Sequence, residues 1–425
     1  MRSARSGGIA SGYRRRVDVR ERNRRYQMVG LAYLTAAIGA LGLSPSRRLG
    51  LWLPLHLAVE GAVATSISGA MQMFARALTA TPQPRLSTVR VQLVAVAGGA
   101  AAIAIGLPIH ARWLVALGGV VWVAGIGILG WIVWRAWSRS LHRRHPVPMA
   151  AYAIAICCAL LGGLLGALLG RGGLDGGTYV AARRAHLTLN VLGFASLTIV
   201  GTMVTLLPTV LRVRMVRWRA GVVVGLLGAS VLTEAVGWTL ASRWIVRAGG
   251  ALGAAGAVAF LTFVVLIARS RRRWAVPAAA LHLLCGVAWF VGGSLWFALQ
   301  VWRGPVAVDL ARSPFLVVFV WGWLVQVLLG AWAYLLPMAR AGGPGDHRRG
   351  LQFFELGGRT QVAALNAGLV LLVGTAAGWF PARIGTLGWT LAVLATSVAL
   401  AKTWSFPALA SRVGAGPRAT SVWGG

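Results

Sequence analysis

Acidic residues, lysine and cysteine are scarce in this chain of 425 residues. Aspartate and glutamate together number 8 against 42 basic residues, so the net charge is +34, and Lys402 is the only lysine. Charged residues make up 12% of the chain and hydrophobic residues 57%. A soluble domain carries about 25% charged residues, so this composition excludes an ordinary water-facing surface and predicts a protein surrounded by lipid. The three cysteines lie in apolar segments without a zinc-binding spacing, which favours a role in helix packing.

Apolar runs of about 20 residues, the length that crosses a bilayer, recur from one end of the chain to the other. We therefore predict an all-α polytopic transmembrane helix bundle over 26–403, with a basic cytoplasmic tail at 1–25 and a flexible cytoplasmic tail at 404–425. The first tail is too rich in arginine for a cleaved signal peptide. The twelve predicted spans are 26–43, 51–75, 90–108, 113–134, 149–170, 186–209, 220–241, 248–268, 276–301, 314–338, 361–379 and 385–403.

The basic residues cluster between the apolar runs, and their distribution predicts the orientation of the bundle. If the N-terminus is cytoplasmic and the spans alternate, the cytoplasmic segments carry 31 basic residues and the outer loops carry 11. Such a bias is what the positive-inside rule describes. We therefore predict that both termini are cytoplasmic and that the protein is a multi-pass component of a bacterial cytoplasmic membrane. Clusters in this arrangement suit lipid headgroups, and we expect no nucleic acid as a partner.

Ionisable side chains inside spans are costly, by about 2.5–3.5 kcal/mol for a charge at the helix centre, and they mark functional sites. The predicted outer half of the membrane holds His56 and Glu60 on the second span, His186 at the start of the sixth and Glu234 on the seventh. Asn190 lies one helical turn after His186. We predict that these side chains, which come from three spans, form a cofactor-binding cluster, with His56 and His186 as the metal ligands.

Two of these pairs share a spacing that suits metal chemistry. His56 and Glu60 are four residues apart, and so are His186 and Asn190, so each pair projects from one helical face. A carboxylate there can orient a histidine whose other nitrogen binds a metal or haem iron. The alternative is a pair of buried hydrogen bonds that hold helices together. His282 lies near the cytoplasmic start of the ninth span and belongs to a different layer.

Two spans carry glycines at intervals of four residues, a spacing that places them on one face of a helix. Gly162, Gly166 and Gly170 lie on the fifth span, and Gly249 and Gly253 lie on the eighth. Ridges of small residues let helix backbones approach closely, which is a main source of helix association in lipid. We predict that both ridges are helix-packing surfaces.

Four segments carry a resemblance to a known family. They are LHLAVEGAVATSISGAMQMF (55–74), AHLTLNVLGFASLTIVGTMVTLLPTVLRVRM (185–215), LHLLCGVAWFVGG (281–293) and VWGWLVQVLLGAWAYLLPM (320–338). Together with twelve predicted spans and histidines on the second and sixth, they resemble haem-copper oxidase subunit I and its distant relatives, including NnrS-like membrane proteins. Similar bacterial membrane proteins are often labelled copper oxidase or nitrite-reductase-like, and some carry a cupredoxin-type domain.

The resemblance implies roles for two residues and a departure from the oxidases. It makes His56 a haem ligand and His186 a copper or haem ligand. The seventh span lacks the histidine pair of the oxidases, and Glu234 is its only ionisable residue. The tenth span also lacks a histidine, and Gln326 is its only polar side chain deep in the membrane. We therefore expect haem, copper or both, used in electron transfer, nitric-oxide handling or metal homeostasis, and not an intact terminal oxidase. A cupredoxin-type or other redox partner would be a separate chain.

Two other functions stay open from the sequence. The first is a proton-coupled transporter in which Glu60 and Glu234 titrate, although the two halves of the chain show no convincing repeat. The second is a structural or assembly role, such as anchoring a separately encoded cupredoxin partner.

Overall fold

The structure, a computed structural model, describes residues 23–215, 219–271, 276–303, 314–340 and 344–414. These residues form helices joined by short turns, and they contain no strand. The predicted tail at 1–25 therefore lies outside the described residues up to residue 22, and so does the tail at 404–425 beyond residue 414. In chain order the helices are α1 (23–40), α2 (52–79), α3 (Leu86–Gly106), α4 (Arg112–Ser138), α5 (Pro146–Arg171), α6 (Gly176–Leu211), α7 (Ala220–Thr239), α8 (Arg243–Arg269), α9 (Ala278–Arg303), α10 (316–340), α11 (Pro344–Glu355), α12 (Gly358–Ala376) and α13 (Ala382–Gly414).

Most of these helices are long and apolar enough to cross a membrane. In the described part of the chain, nine pass on length and hydropathy, namely α3 to α10 and α13. Helices α11 and α12, which meet at a bend of 42°, pass only together, and they make a tenth crossing if the pair is one span. The helices α1 and α2 occupy the first two predicted spans but are not among those that pass. The chain is thus a multi-pass helical membrane protein, as the composition predicts.

Several helix boundaries differ from those predicted. Helix α6 begins at Gly176, ten residues before the predicted start of the sixth span, because the Asp175 side chain accepts a hydrogen bond from the Thr178 amide at 2.8 Å and caps the new start. The prediction that His186 stands at the start of that helix was therefore wrong. The predicted loop at 339–360 contains α11, and α13 continues to Gly414, past the predicted end of the bundle at 403.

The bundle packs tightly where two glycines meet across a helix pair. An added Cβ at Gly99 of α3 would lie 2.7 Å from the Gly118 carbonyl of α4, and one at Gly368 of α12 would lie 2.7 Å from the Gly388 carbonyl of α13. Backbones this close gain dispersion contacts along the whole pair, and in lipid this replaces the hydrophobic drive of water. Large apolar side chains such as Val94, which is 69% exposed, cover the outside of the bundle and face the acyl chains.

In the part of the chain that the structure describes, three helices contain a π-helical segment, in which amides bond to carbonyls five residues earlier. These segments are Leu57–Val63 in α2, Thr188–Ser196 in α6 and Leu316–Val325 in α10. The amide of Ala64, for example, bonds to the carbonyl of Val59. The segment of α10 packs against both others, so the three meet inside the bundle. Such segments are rare and are frequent at functional sites. Here one begins directly after His56 and another two residues after His186.

Candidate functional site

One end of the bundle gathers most of the predicted site residues. It contains the turns that join α3 to α4, α5 to α6 and α7 to α8, together with the first turn of α2. Arg184 of α6 stacks over the ring of Trp238 near the end of α7, with 5.0 Å from the guanidinium carbon to the ring centroid. The Arg112 side chain lies 3.4 Å from the position of an added Cβ on Gly172. We refer to this as the His56 end, and it corresponds to the predicted outer side.

His186 is held in place by the glycine ridge of α5. Its Nδ1 lies 2.8 Å from the Gly162 carbonyl oxygen and 3.2 Å from the Asn190 side-chain nitrogen. That nitrogen donates to the backbone carbonyl of His186 at 2.8 Å. A Cβ at Gly166 would lie 2.7 Å from the His186 Cε1, and one at Gly162 would lie 2.4 Å from the Asn190 nitrogen. The predicted packing ridge on α5 therefore also contacts two polar side chains, His186 and Asn190. These two lie next to each other, as predicted.

His56 is anchored in a similar way on α2. Its Nδ1 lies 2.9 Å from the Trp52 carbonyl oxygen, and its ring stacks on the Trp52 indole with centroids 4.0 Å apart. The ring also lies close enough to His186 for the two imidazoles to interact electrostatically. Both side chains are partly exposed, and within the described residues neither Nε2 has a hydrogen-bond partner. An Nδ1 that faces a carbonyl donates its hydrogen, which leaves the Nε2 lone pair free for a ligand.

Glu60 lies in the π-helical segment of α2, and it does not orient His56 as the sequence suggests, because the Trp52 carbonyl does so. It interacts electrostatically with Tyr33 of α1. The Tyr33 ring rests on Gly61, where a Cβ would lie 2.3 Å from the ring, and its hydroxyl donates to the Ala97 carbonyl at 2.5 Å. Glu60 is partly exposed at the α1–α2 contact.

Glu234 faces a different helix from the histidines. Its carboxyl lies against α8, where an added Cβ at Gly249 would be 2.6 Å from its Cγ. The Ser230 hydroxyl lies 3.1 Å from the Glu234 Oε1, while Oε2 is buried without a hydrogen-bond partner among the described residues. Glu234 is 1% exposed. The structure thus pairs His186 with Asn190, leaves His56 within electrostatic range of His186, keeps Glu60 on the same helix as His56 and leaves Glu234 in the α7–α8 interface.

Two further polar positions lie outside this group. His282 is buried on α9 at the opposite end of the bundle and packs on Gly330 of α10, in a separate layer as predicted, and its Nδ1 has no hydrogen-bond partner among the described residues. Gln326 follows the π-helical segment of α10. It is fully buried, and neither of its side-chain polar atoms has a partner in the described part of the chain. Its neighbour Trp323 donates from the indole to the Ser196 hydroxyl at 2.9 Å, which ties α10 to α6.

Sequence reasoning missed the residues that hold the two histidines. Trp52 was not among the predicted site residues, and the α5 glycines were predicted only as a packing ridge. Arg183 was also missed as a charged neighbour of His186, with which it interacts electrostatically. The spacing of Gly162 and Gly166 equals that of Asn190 and His186, and this match across two helices was the one available signal.

Few side chains that could bind a metal ion lie near one another. Among the residues that the structure describes, no three of His, Cys, Asp and Glu lie together as a metal-binding group. No known family model matches the chain, and no curated protein is significantly similar to it.

Proposed function

We propose that the protein is a twelve-span component of a bacterial cytoplasmic membrane, with both termini cytoplasmic, that binds haem or copper through His56 and His186. Its work would be electron transfer, nitric-oxide handling or metal homeostasis and not terminal oxidation. The observation that carries the proposal is the pair of imidazoles, each with Nδ1 on a backbone carbonyl and each with a free Nε2. Histidines that bind metals almost always have the other nitrogen held in this way.

The available donors fit a cofactor that needs two protein ligands. Haem iron takes one or two axial side chains, because the macrocycle supplies the other four nitrogens. Copper accepts imidazole, and its reduced form is satisfied by few ligands. A structural zinc site needs four protein ligands and a catalytic one three, and the described residues offer no such group. The donor set therefore supports haem or copper over zinc.

The surrounding residues would hold the ligands and set their charge. The Gly162 carbonyl fixes the plane of the His186 ring, and the Trp52 indole and carbonyl fix that of His56. Arg183 adds positive charge beside His186, which favours an anionic ligand or an acidic side group of a cofactor. Haem or copper, when bound, supplies one-electron chemistry. Partial exposure of both rings at the His56 end gives a separate redox partner, of cupredoxin or another type, a route to the site.

The test is direct. The protein is purified in detergent from cells supplied with haem precursor and copper, and its reduced-minus-oxidised spectrum and copper content are measured. We expect a Soret band or stoichiometric copper, lost or shifted in His56→Ala and His186→Ala but unchanged in His142→Ala, whose side chain is exposed in a turn. A wild-type protein with neither a Soret band nor copper would end both the haem and the copper proposals.

A proton-coupled carrier is the second candidate, because Glu234 is a buried carboxyl with one oxygen unpartnered among the described residues. Such groups titrate in many membrane pumps and carriers. Proton flux into proteoliposomes that depends on an added substrate, and that stops in Glu234→Gln, would favour it. Flux that is unchanged in this variant would exclude a role for Glu234.

A further inference from the structure

A buried serine and a buried carboxyl, Ser230 and Glu234, lie side by side where α7 packs against α8. Both residues lie on α7, one turn apart, and both face the glycine ridge of α8. The Ser230 Oγ lies 2.8 Å from the Gly249 carbonyl oxygen and 3.1 Å from the Glu234 Oε1. A Cβ at Gly253 would lie 2.7 Å from the same hydroxyl. The ridge therefore leaves just enough room for the hydroxyl and the carboxyl.

Counting hydrogens shows which group carries the proton. A serine hydroxyl has one hydrogen to donate, and a backbone carbonyl can only accept. The shorter contact, with the Gly249 carbonyl, therefore takes the Ser230 hydrogen, since two acceptors 2.8 Å apart would otherwise repel each other. The 3.1 Å contact is then a hydrogen bond only if Glu234 donates. A carboxyl donates only in its protonated form.

The charges around Glu234 agree with a neutral acid. Among the described residues, Ser230 is the one polar side chain that interacts with its carboxyl, and no charged group of that part of the chain does. Arg184 of α6 lies over Trp238, while Arg247 of α8 donates to the Val301 and Trp302 carbonyls of α9. A carboxylate buried in hydrocarbon without a cation is expensive, whereas the acid form is tolerated.

We propose that Glu234, Ser230 and the Gly249 carbonyl form a proton-binding site inside the membrane, in which Glu234 is a neutral carboxylic acid that donates to Ser230. The ligand is a single proton. The site is independent of a cofactor at His56 and His186, because it faces α8 and not α2. It would supply the titrating group that a proton-coupled carrier needs, but it does not require that function.

Infrared spectroscopy of the full chain in lipid nanodiscs tests the protonation directly. At neutral pH the wild-type spectrum is expected to contain the C=O stretch of a protonated carboxyl, and this band should be absent in Glu234→Gln, a neutral replacement of the same shape. In Ser230→Ala the band should persist and shift, because the acid loses its acceptor. Glu355→Gln is the matched control: Glu355 accepts from the Ala278 amide at 2.8 Å and interacts electrostatically with Lys402, and it lies away from α7, so its replacement should leave the band unchanged.

Labelling with dicyclohexylcarbodiimide gives a second measurement on the wild-type chain. This apolar reagent reacts with protonated carboxyls in membranes by addition across its C=N bond, with the carboxyl proton passing to nitrogen and no group leaving. We expect an adduct on the peptide that contains Glu234, with a rate that falls about tenfold per pH unit once the acid has titrated, and an adduct that persists in Glu60→Gln. A wild-type spectrum without a protonated-carboxyl band assignable to Glu234, or a band that Ser230→Ala does not shift, would overturn the site. Protection from labelling by sodium ions would overturn the assignment of the ligand as a proton.

Discussion

The sharpest prediction concerns Gly166, because a single methyl group there should separate the cofactor site from the stability of the fold. The Cβ of Gly166→Ala would lie 2.7 Å from the His186 Cε1, whereas ordinary contact begins at 3.4 Å. The ring must therefore move about 0.7 Å away from α5. Since the Gly162 carbonyl is also on α5, the same movement stretches the Nδ1 contact from 2.8 Å to about 3.5 Å, the limit of a hydrogen bond.

The Gly166→Ala substitution should change the stability of the fold little and the affinity for the cofactor clearly. Losing one hydrogen bond costs about 1 kcal/mol, and replacing glycine by alanine inside a helix returns about 1 kcal/mol. We therefore expect the free energy of unfolding to change by less than about 1 kcal/mol. Affinity for haem or copper should fall by about 10- to 100-fold, which is typical when a residue that orients a metal ligand is lost.

The assay is a titration of the purified apoprotein with haem or Cu⁺, followed by absorbance, alongside unfolding in a graded detergent mixture. Gly127→Ala on α4 is the control, because no atom lies within 4 Å of its added Cβ, and both affinity and spectrum should stay as in wild type. If Gly166→Ala binds cofactor as tightly as Gly127→Ala does, His186 is not a ligand in the geometry described above.

Three further predictions test the fold. Gly368→Val should cost about 2–3 kcal/mol in detergent unfolding, because its Cβ would meet two backbone atoms of α13 at 2.7 and 2.8 Å that cannot rotate away; a wild-type midpoint would contradict the close contact. Trp323→Phe should cost about 1–3 kcal/mol by leaving Ser196 without its donor in a fully buried position, and unchanged unfolding would show that this bond is not formed. Hydrogen bonds from Thr178 hold the pKa of Asp175 below its ordinary value, so the cap of α6 is fully present above the usual aspartate range and is lost as the pH falls through the lowered pKa. Hydrogen exchange at the Thr178 amide should therefore accelerate, relative to its intrinsic rate, only in strong acid, and Asp175→Asn should remove that pH dependence.

The positions of the helices could be predicted from hydropathy because lipid demands one property over a fixed length. Each of the twelve predicted segments overlaps a helix, from α1 at 23–40 to α13 at Ala382–Gly414. Boundaries failed where polar residues extend a helix beyond the apolar run. Helix α6 gained its first ten residues from the Asp175 cap, and α11 is a short helix in a segment whose charge and glycine content resemble a loop.

The candidate site was predictable as a set of residue types but not as a set of contacts. Spacing placed His186 and Asn190 on one face, and they are hydrogen-bonded. It could not reveal that His56 turns to the Trp52 carbonyl, or that Glu234 faces α8, because rotation of a helix about its axis depends on packing against its neighbours. A π-helical segment adds to the difficulty, since its wider turn shifts the face of every residue that follows.

The glycine ridges explain why the polar residues lie where they do. At Gly99 and Gly368 the close neighbours are mainly backbone atoms, and the glycines serve helix association alone. At Gly166 and Gly249 the close neighbours include His186 and Glu234, so the absence of a Cβ makes space for a polar side chain that lipid would exclude. In hydrocarbon such a side chain needs a hydrogen-bond partner within the protein, and glycine lets a second backbone approach closely enough to offer its carbonyl as that partner. The Gly162 carbonyl does this for His186, and the Gly249 carbonyl does it for Ser230. A glycine ridge that faces a polar side chain of matching spacing on another helix therefore indicates a functional position, whereas a ridge that faces another ridge indicates packing.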